Sequence, residues 1–463
     1  MSDLRRPDLD TVYSINEDGS RNFIQPADVS GRWQVRKSVI WTVLLLVYLA
    51  LPFVQVGGHP AVNFDIGQRT AHLFGSTFTN QDFFLMYWLL IGFGLVLFVV
   101  TSLWGRVWCG FACPQTVFME GVFRRIERWL EGPRLDRLRR NEAPADFDKV
   151  WRKGLKHVAF LGLSWLFAHA FIAYFMPVDS LLDAVRRPPA EHMPAFIWGL
   201  VWTLILYFDY AWFREQTCLI ICPYGRLQST LIDPETVIIG YDEQRGEPRG
   251  KPSDADAGDC IDCQRCVHVC PTGIDIRQGL QMECIGCANC IDACDAIMDK
   301  LKRPRGLVRY DSQRGFAGAK RTLLRGRLLI YLVVFLVGSG IFAWRLNERT
   351  FFEASVLRSR GMPYTLVEGN IRNLYTLYVR NKTEEDRTFH VAPGEGSAAA
   401  LGTNAEFIIP QTSIQVNGLG EARMPVFVTI PQGEYSVPTD FDFAVTDSAT
   451  GVVRPVTVRF RGP

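Results

Sequence analysis

All twelve cysteines of this 463-residue chain fall in short, regularly spaced groups. Eight of them make two consecutive copies of C-x2-C-x2-C-x3-C: Cys260, Cys263, Cys266 and Cys270, then Cys284, Cys287, Cys290 and Cys294. With this spacing three close thiolates hold one iron–sulfur cube, and the fourth crosses over to a second cube. The spacing therefore predicts one [4Fe–4S] cluster on Cys260, Cys263, Cys266 and Cys294, and another on Cys284, Cys287, Cys290 and Cys270. Zinc sites or disulfides are the plain alternative, and two successive four-cysteine runs speak against both. The copies differ at their ends. Pro271 follows Cys270, whereas Asp295 follows Cys294, in an acidic stretch with Asp292 and Asp299. Acidic surroundings are expected to lower a cluster's potential. Two clusters in so small a module indicate one-electron transfer.

The other four cysteines form a motif that occurs twice, Cys109-x3-Cys113-Pro114 and Cys218-x3-Cys222-Pro223. Cysteines four apart share a helical face. Proline favours the first helical position, which makes Cys113 and Cys222 N-caps. There the helix dipole is expected to lower the thiol pKa and favour the thiolate. If the two copies meet, Cys109, Cys113, Cys218 and Cys222 present four soft ligands suited to Cu(I), zinc or iron–sulfur. A buried cysteine is also a small hydrophobe, and one such motif alone would mean little. Two in equivalent places favour a metal or redox site. The sequence leaves open whether these thiols bind copper, bind a further cluster or cycle as disulfides.

Membrane segments must position these groups. Composition is 48% hydrophobic with 31 Phe and 12 Trp, and the apolar residues are bunched. Five segments of about 20 apolar residues can span a bilayer: 38–56, 83–104, 155–176, 194–213 and 328–346. The polar tail of 37 residues before the first makes it a start-transfer anchor rather than a cleaved signal. Each C-x3-C-P follows a pair of segments, which reads as a parallel internal repeat. Loop 57–82 holds one Lys or Arg and loop 177–193 holds two, but loop 105–154 holds eleven. The positive-inside rule then puts the N-terminus and the ferredoxin in the cytoplasm, and the C-terminal part outside. The predicted outer parts contain no cysteine, which excludes a secreted disulfide framework. A net charge of +2 gives no case for nucleic-acid binding.

The expected divisions are a cytoplasmic N-terminal arm, loosely ordered, at 1–37 and a four-helix membrane core at 38–232. A linker and ferredoxin domain follow at 233–326 (clusters within 258–300), then a fifth helix at 327–346 and a periplasmic domain at 347–463. In that last part alternating strands at 374–380, 388–391, 413–416, 425–430, 441–445 and 456–460 are separated by turn signals such as Asn417-Gly418. This predicts an immunoglobulin-like β-sandwich without its disulfide, suited to docking rather than catalysis. The fold class is thus a multi-domain membrane protein: a five-helix transmembrane bundle, a two-cluster α+β ferredoxin insert and a C-terminal β-sandwich. Residues 116–130 read as an amphipathic membrane-surface helix with Arg124, Arg125 and Arg128 on its basic face. Asp209, inside the fourth segment, is either a functional carboxylate or a solvated one. His157 and His169 share one segment and the other four have no histidine, so no haem is expected. His268 reads as a solvent-facing or cluster-tuning residue.

The two C-x3-C-P motifs, the Trp108-Cys109-Gly110-Phe111-Ala112-Cys113-Pro114 box, the dicluster ferredoxin, the fifth helix and the sandwich together resemble the FixG/RdxA/CcoG family of bacterial cytochrome c oxidase accessory proteins. The C-x3-C-P box alone also resembles that of quinol-linked ferredoxin membrane proteins of nitrate and nitrous oxide respiration. The family resemblance implies a bacterial inner-membrane protein that reduces Cu(II) to Cu(I) for assembly of a cbb-type haem–copper oxidase. It implies copper chaperones or a copper transporter and oxidase subunits as partners, besides membrane lipid and a cytoplasmic electron donor. Self-association is compatible with the sequence. In this reading the four C-x3-C-P thiols are the copper site and the cupric reductase centre. Two other classes remain open: a quinone-linked electron relay without copper chemistry, and a non-enzymatic assembly scaffold.

Overall fold

The computed structural model describes residues 23–463, except 68, 80, 81, 255, 359–361, 403 and the side chain of residue 229. Residues 1–22 of the expected N-terminal arm lie outside the described residues. The chain forms two compact units, Met1–Gly75 with Phe84–Phe342, and Ser76–Phe83 with Ala343–Pro463.

Among the described residues, five helices are long and apolar enough to cross a bilayer: Arg32–Phe53, Phe83–Trp104, Phe147–Ile172, Met193–Phe213 and Gly326–Asn347. A helix satisfies its own backbone, so it tolerates hydrocarbon on its outside. The outward side chains are accordingly apolar, as at Leu90 (67% exposed) and Ile197 (50% exposed). The first and third spans begin earlier than apolarity indicates because their first turns are polar. Asp146 caps the third, accepting from Lys149 N at 2.8 Å. The third and fourth spans pack through Phe171 and Trp202, with ring centroids 4.7 Å apart. Phe123, Phe160, Phe167 and Tyr210 form the buried core between spans and the first box.

Residues 114–131 depart from the expected surface helix. They form Pro114–Phe118, a π-helical turn at Met119–Phe123 and Arg124–Glu131. Arg124, expected on the basic face, is buried instead, whereas Arg125 stays exposed. Glu120, one turn earlier, and Glu215, from the second repeat, meet Arg124 inside, which makes its burial tolerable.

The ferredoxin is closed by antiparallel strands Ile238–Tyr241 and Val308–Asp311. Its helices are Arg265–His268 and Asn289–Lys300. The described end of the N-terminal arm is not loose: Ala27 N donates to His268 O at 2.7 Å, and Ala27 and Val29 pack on Val269 and Ala293. Trp33 and Gln34 amides then donate to the Asp292 carboxylate at 3.2 and 2.8 Å. Gly31 lies so close to Asp292 that a Cβ would sit 2.3 Å from its carboxyl carbon.

The second unit is a β-sandwich. One sheet orders Glu406–Ile408, Glu421–Pro431, Asn370–Asn381 and Phe352–Arg358, with Thr365–Val367 also on Asn370–Asn381. The other orders Ser413–Val416, Arg387–Pro393, Thr439–Asp447 and Val453–Phe460. Strict alternation along Asn370–Asn381 places Ile371, Tyr375, Leu377 and Val379 in the core with Phe389, Phe443 and Phe460. The sequence pattern and the fold agree here because a one-residue slip would turn every one of these side chains outward.

Candidate metal centres

The two four-cysteine runs fold as near copies. In each, the residues on either side of the second cysteine have positive φ: Asp262 (52°) and Gln264 (53°) in the first, Gly286 (67°) and Ala288 (62°) in the second. Three of these four are not glycine, at a cost of roughly 1–2 kcal/mol each. Left-handed turns of this kind point successive amides into one concavity, a form of anion site found around iron–sulfur groups. The amides of Gly286 and Asn289 are directed at the thiols of Cys284 and Cys287.

The chain brings the cysteines together in two sets. Burial pushes the Cys294 thiol up to about 12, and Cys266, Cys260 and Cys263 beside it push the same way. Cys290 is raised well above its ordinary value by burial, then by Cys287, Cys284 and Cys270. Burial also raises Cys266 and Cys284 to about 12 and Cys287 to about 11. One cavity is lined by Cys260, Cys263, Cys266 and Cys294, and another by Cys270, Cys284, Cys287 and Cys290 with a wall from Cys266. Crowded buried thiols that resist ionisation fit a site whose cationic occupant displaces the protons. Both sets fit an iron–sulfur cluster in donor type, number and enclosure. Cys263 is exposed, whereas Cys287 is buried, so the first set is the one nearer solvent.

The C-x3-C-P copies also converge. Cys113 and Cys222 are N-caps with proline at the first helical position. Cys218 is raised by burial and then by Cys113, Cys109 and Cys222, which places all four thiols in one group. Burial, then Cys113, pushes Cys109 up to about 12. The expected low pKa at Cys113 is not found. Amides of Gln115 and Thr116 do favour its thiolate, but burial outweighs them and the net shift is upward. Cys109 Sγ donates to Gln228 Oε1 at 3.5 Å, and Arg106 reaches Gly225 O at 2.5 Å, so the first copy is bonded to the helix following the second. Asp209 accepts from Gln115 Nε2 at 3.2 Å and from Thr217 Oγ1, beside Cys218. It belongs to the surroundings of the thiol group rather than to a solvated edge.

The thiol group adjoins the second ferredoxin set through glycine. A Cβ on Gly110 would lie 2.8 Å from Cys287 Cα and from Gly286 C and O. The box therefore touches the ferredoxin backbone one residue from Cys109. Arg124 ties the same parts together. Its guanidinium meets Glu120, Glu215 at 2.9 Å and Pro271 O at 3.2 Å. Glu127 is held near 2 against its burial by Arg214, Lys156 and Arg137. The sequence reading missed this charge network, and its only trace there is the excess of Arg and Glu around each box.

The histidines singled out from the sequence take ordinary partners. His157 Nδ1 meets Tyr207 OH at 2.9 Å and His169 Nδ1 meets Trp165 O at 2.8 Å. His268 lies against the N-terminal segment through its carbonyl.

Fold and sites together define a multi-helix membrane iron–sulfur protein with a dicluster ferredoxin and a C-terminal immunoglobulin-like domain. A family model described as "4Fe-4S dicluster domain" matches residues 213–313, "4Fe-4S binding domain" matches 85–133, and "IG-like fold at C-terminal of FixG" matches 342–463. Protein RdxA of Cereibacter sphaeroides is 38% identical over 95% of this chain and 93% of its own length. The nitrogen fixation protein FixG of Rhizobium meliloti is 32% identical over 93% of this chain and 91% of its own. A crystal structure of a FixG-related protein from Vibrio parahaemolyticus covers 24% of this chain and 96% of its own, at 24% identity and TM-score 0.21. The chain belongs to the FixG/RdxA family.

Proposed function

We propose that this protein is a cupric reductase of the bacterial inner membrane, supplying Cu(I) for assembly of a cbb-type haem–copper oxidase. The observation that carries the reading is the contact of Gly110 with Gly286 and Cys287, which sets a four-thiol group against an electron-transfer module. Cys260, Cys263, Cys266 and Cys294 would hold one [4Fe–4S] cluster, and Cys270, Cys284, Cys287 and Cys290 the other. Bound there, the clusters supply single electrons. Cys109, Cys113, Cys218 and Cys222 bind the substrate copper. Cu(II) gains one electron and becomes Cu(I), the softer ion that thiolates prefer, so reduction strengthens retention. Gln228 and Arg106 fix the thiol positions. The lysine and arginine excess of loop 105–154 supports a cytoplasmic ferredoxin and a periplasmic sandwich.

The test is anaerobic purification with iron, sulfide and copper counts, then a Cu(II) reduction assay on wild type and the variant with Ser at 109, 113, 218 and 222. About eight iron per chain is expected, with copper reduction lost in the variant and both clusters intact by EPR. Unchanged reduction would remove the copper assignment. A second reading has its own support: the "4Fe-4S binding domain" match covers Cys109 and Cys113. On that reading the four thiols hold a third cluster, the protein is an electron relay, and about twelve iron are found.

A further inference from the structure

Lys37 lies in the first turns of the first span, yet it is fully buried. Its ammonium donates to Asn289 Oδ1 and lies 5.4 Å from the Trp41 ring. Asn289 sits between Cys287 and Cys290, and its Nδ2 donates to the carbonyl of Val269, next to Cys270, at 3.2 Å. Lys37 thus touches the segment between Cys287 and Cys290 and, through Asn289, is linked to the residue before Cys270. Among the described residues no carboxylate pairs with it. Glu120, a carboxylate near Cys287, is taken up by Arg124. A buried ammonium without a counter-ion is costly. Here the negative charge able to offset it is that of the ligated thiolates.

The first set is surrounded by paired charges instead. Asp295 lies by Cys294, with the largely exposed Arg32 at 3.7 Å and Arg305, itself bound to Asp299, also near it. Asp275 lies by Cys266. Arg277 is also there and acts on Cys266 more strongly than Asp275 does, but its guanidinium is bound by both Asp275 and Asp262.

We infer that Lys37 raises the reduction potential of the cluster on Cys270, Cys284, Cys287 and Cys290 above that of its neighbour. Each one-electron reduction adds a negative charge, and a buried cation favours the more negative state. The solvent-side cluster is then the weaker acceptor and the membrane-side cluster the stronger, a downhill order toward the four-thiol group. The inference rests on the two ligand sets proposed above and not on what the four thiols bind.

The experiment is an EPR-monitored redox titration of the purified holoprotein, with iron and sulfide counted on the same samples. Two neutral variants are compared with wild type: Lys37→Gln keeps a polar partner for Asn289, and Lys37→Met keeps the volume. The higher of two midpoints should fall by about tenfold in the reduction equilibrium, 59 mV for one electron, while the lower stays. Lys37→Arg should hold the wild-type value. An unmoved higher midpoint, an equal fall of both, or the same fall in Lys37→Arg overturns the inference. Loss of the cluster from both neutral variants would make Lys37 a packing residue and overturns it as well. An iron count well below about eight in wild type would instead strike the ligand assignment.

Discussion

Copper binding at the four-thiol group should release protons and strengthen steeply with pH. Burial, with Cys113 next, lifts Cys109 from 9.0 to about 12. Burial also lifts Cys113 and Cys218. The rise at Cys109 amounts to about 4 kcal/mol against its thiolate, and holding it ionised at pH 7 costs about 7 kcal/mol. These thiols are therefore protonated in the metal-free protein at neutral pH, and a metal must displace the protons. The sign follows directly. Raising pH toward the elevated values removes the proton competitor, so apparent affinity climbs. If Cys109, Cys113 and Cys218 all bind as thiolates, the logarithm of the apparent Cu(I) affinity rises by about three per pH unit. Competition against a chelator of pH-independent affinity, under anaerobic conditions across roughly pH 6 to 8, reads that slope. A flat profile, or the same slope in a variant carrying Ser at 109, 113 and 218, would refute the reasoning.

Gly110→Ala drives a methyl to 2.8 Å from the backbone of Gly286 and Cys287, where no flexible side chain can yield. The expected cost is roughly 1–3 kcal/mol of overpacking. Single-turnover copper reduction should slow at unchanged iron content, and a wild-type rate would dismiss the contact as the route. Arg124→Met leaves Glu120 and Glu215 buried without their cation. Removing one member of a buried ion group costs roughly 3–5 kcal/mol, to be seen as a lower unfolding temperature in detergent. Arg459→Met breaks an exposed pair with Asp440 at 2.6 Å and should cost at most about 1 kcal/mol. Cys270→Ser and Cys294→Ser should each perturb a different cluster. EPR should show Cys294→Ser altering the signal of the solvent-side set although Cys294 ends the second run, and the converse pairing would undo the crossover.

Much of this was legible in the sequence because it depends on local spacing. Proline after Cys113 and Cys222 sets a helix start whatever surrounds it, and both cysteines are N-caps. Runs of apolar residues mark membrane helices because hydrocarbon demands them. What escaped was the fate of charge. Lys37 read only as the end of the polar tail and Arg124 as part of a basic surface. Their burial depends on partners far along the chain, Asn289 at 252 residues from Lys37 and Glu215 at 91 from Arg124. The Cys113 thiol failed in the same way. Its helix start was readable, but the depth of the pocket, which outweighs the helix, was not.

Those long-range charges explain why the two cysteine systems can work as one. Glu120 follows the first C-x3-C-P, Glu215 precedes the second, and Pro271 follows a ferredoxin ligand; a single buried guanidinium binds all three. A buried ion group tolerates little displacement, because each lost bond strands a charge in a dry interior. Arg124 therefore fixes both repeats relative to Cys270, while Gly110 lets the first repeat touch Cys287. Positions so constrained suit a reaction in which only an electron crosses. On the copper reading proposed above, the thiols need not move to receive it, and the ion would bind more tightly once it has arrived.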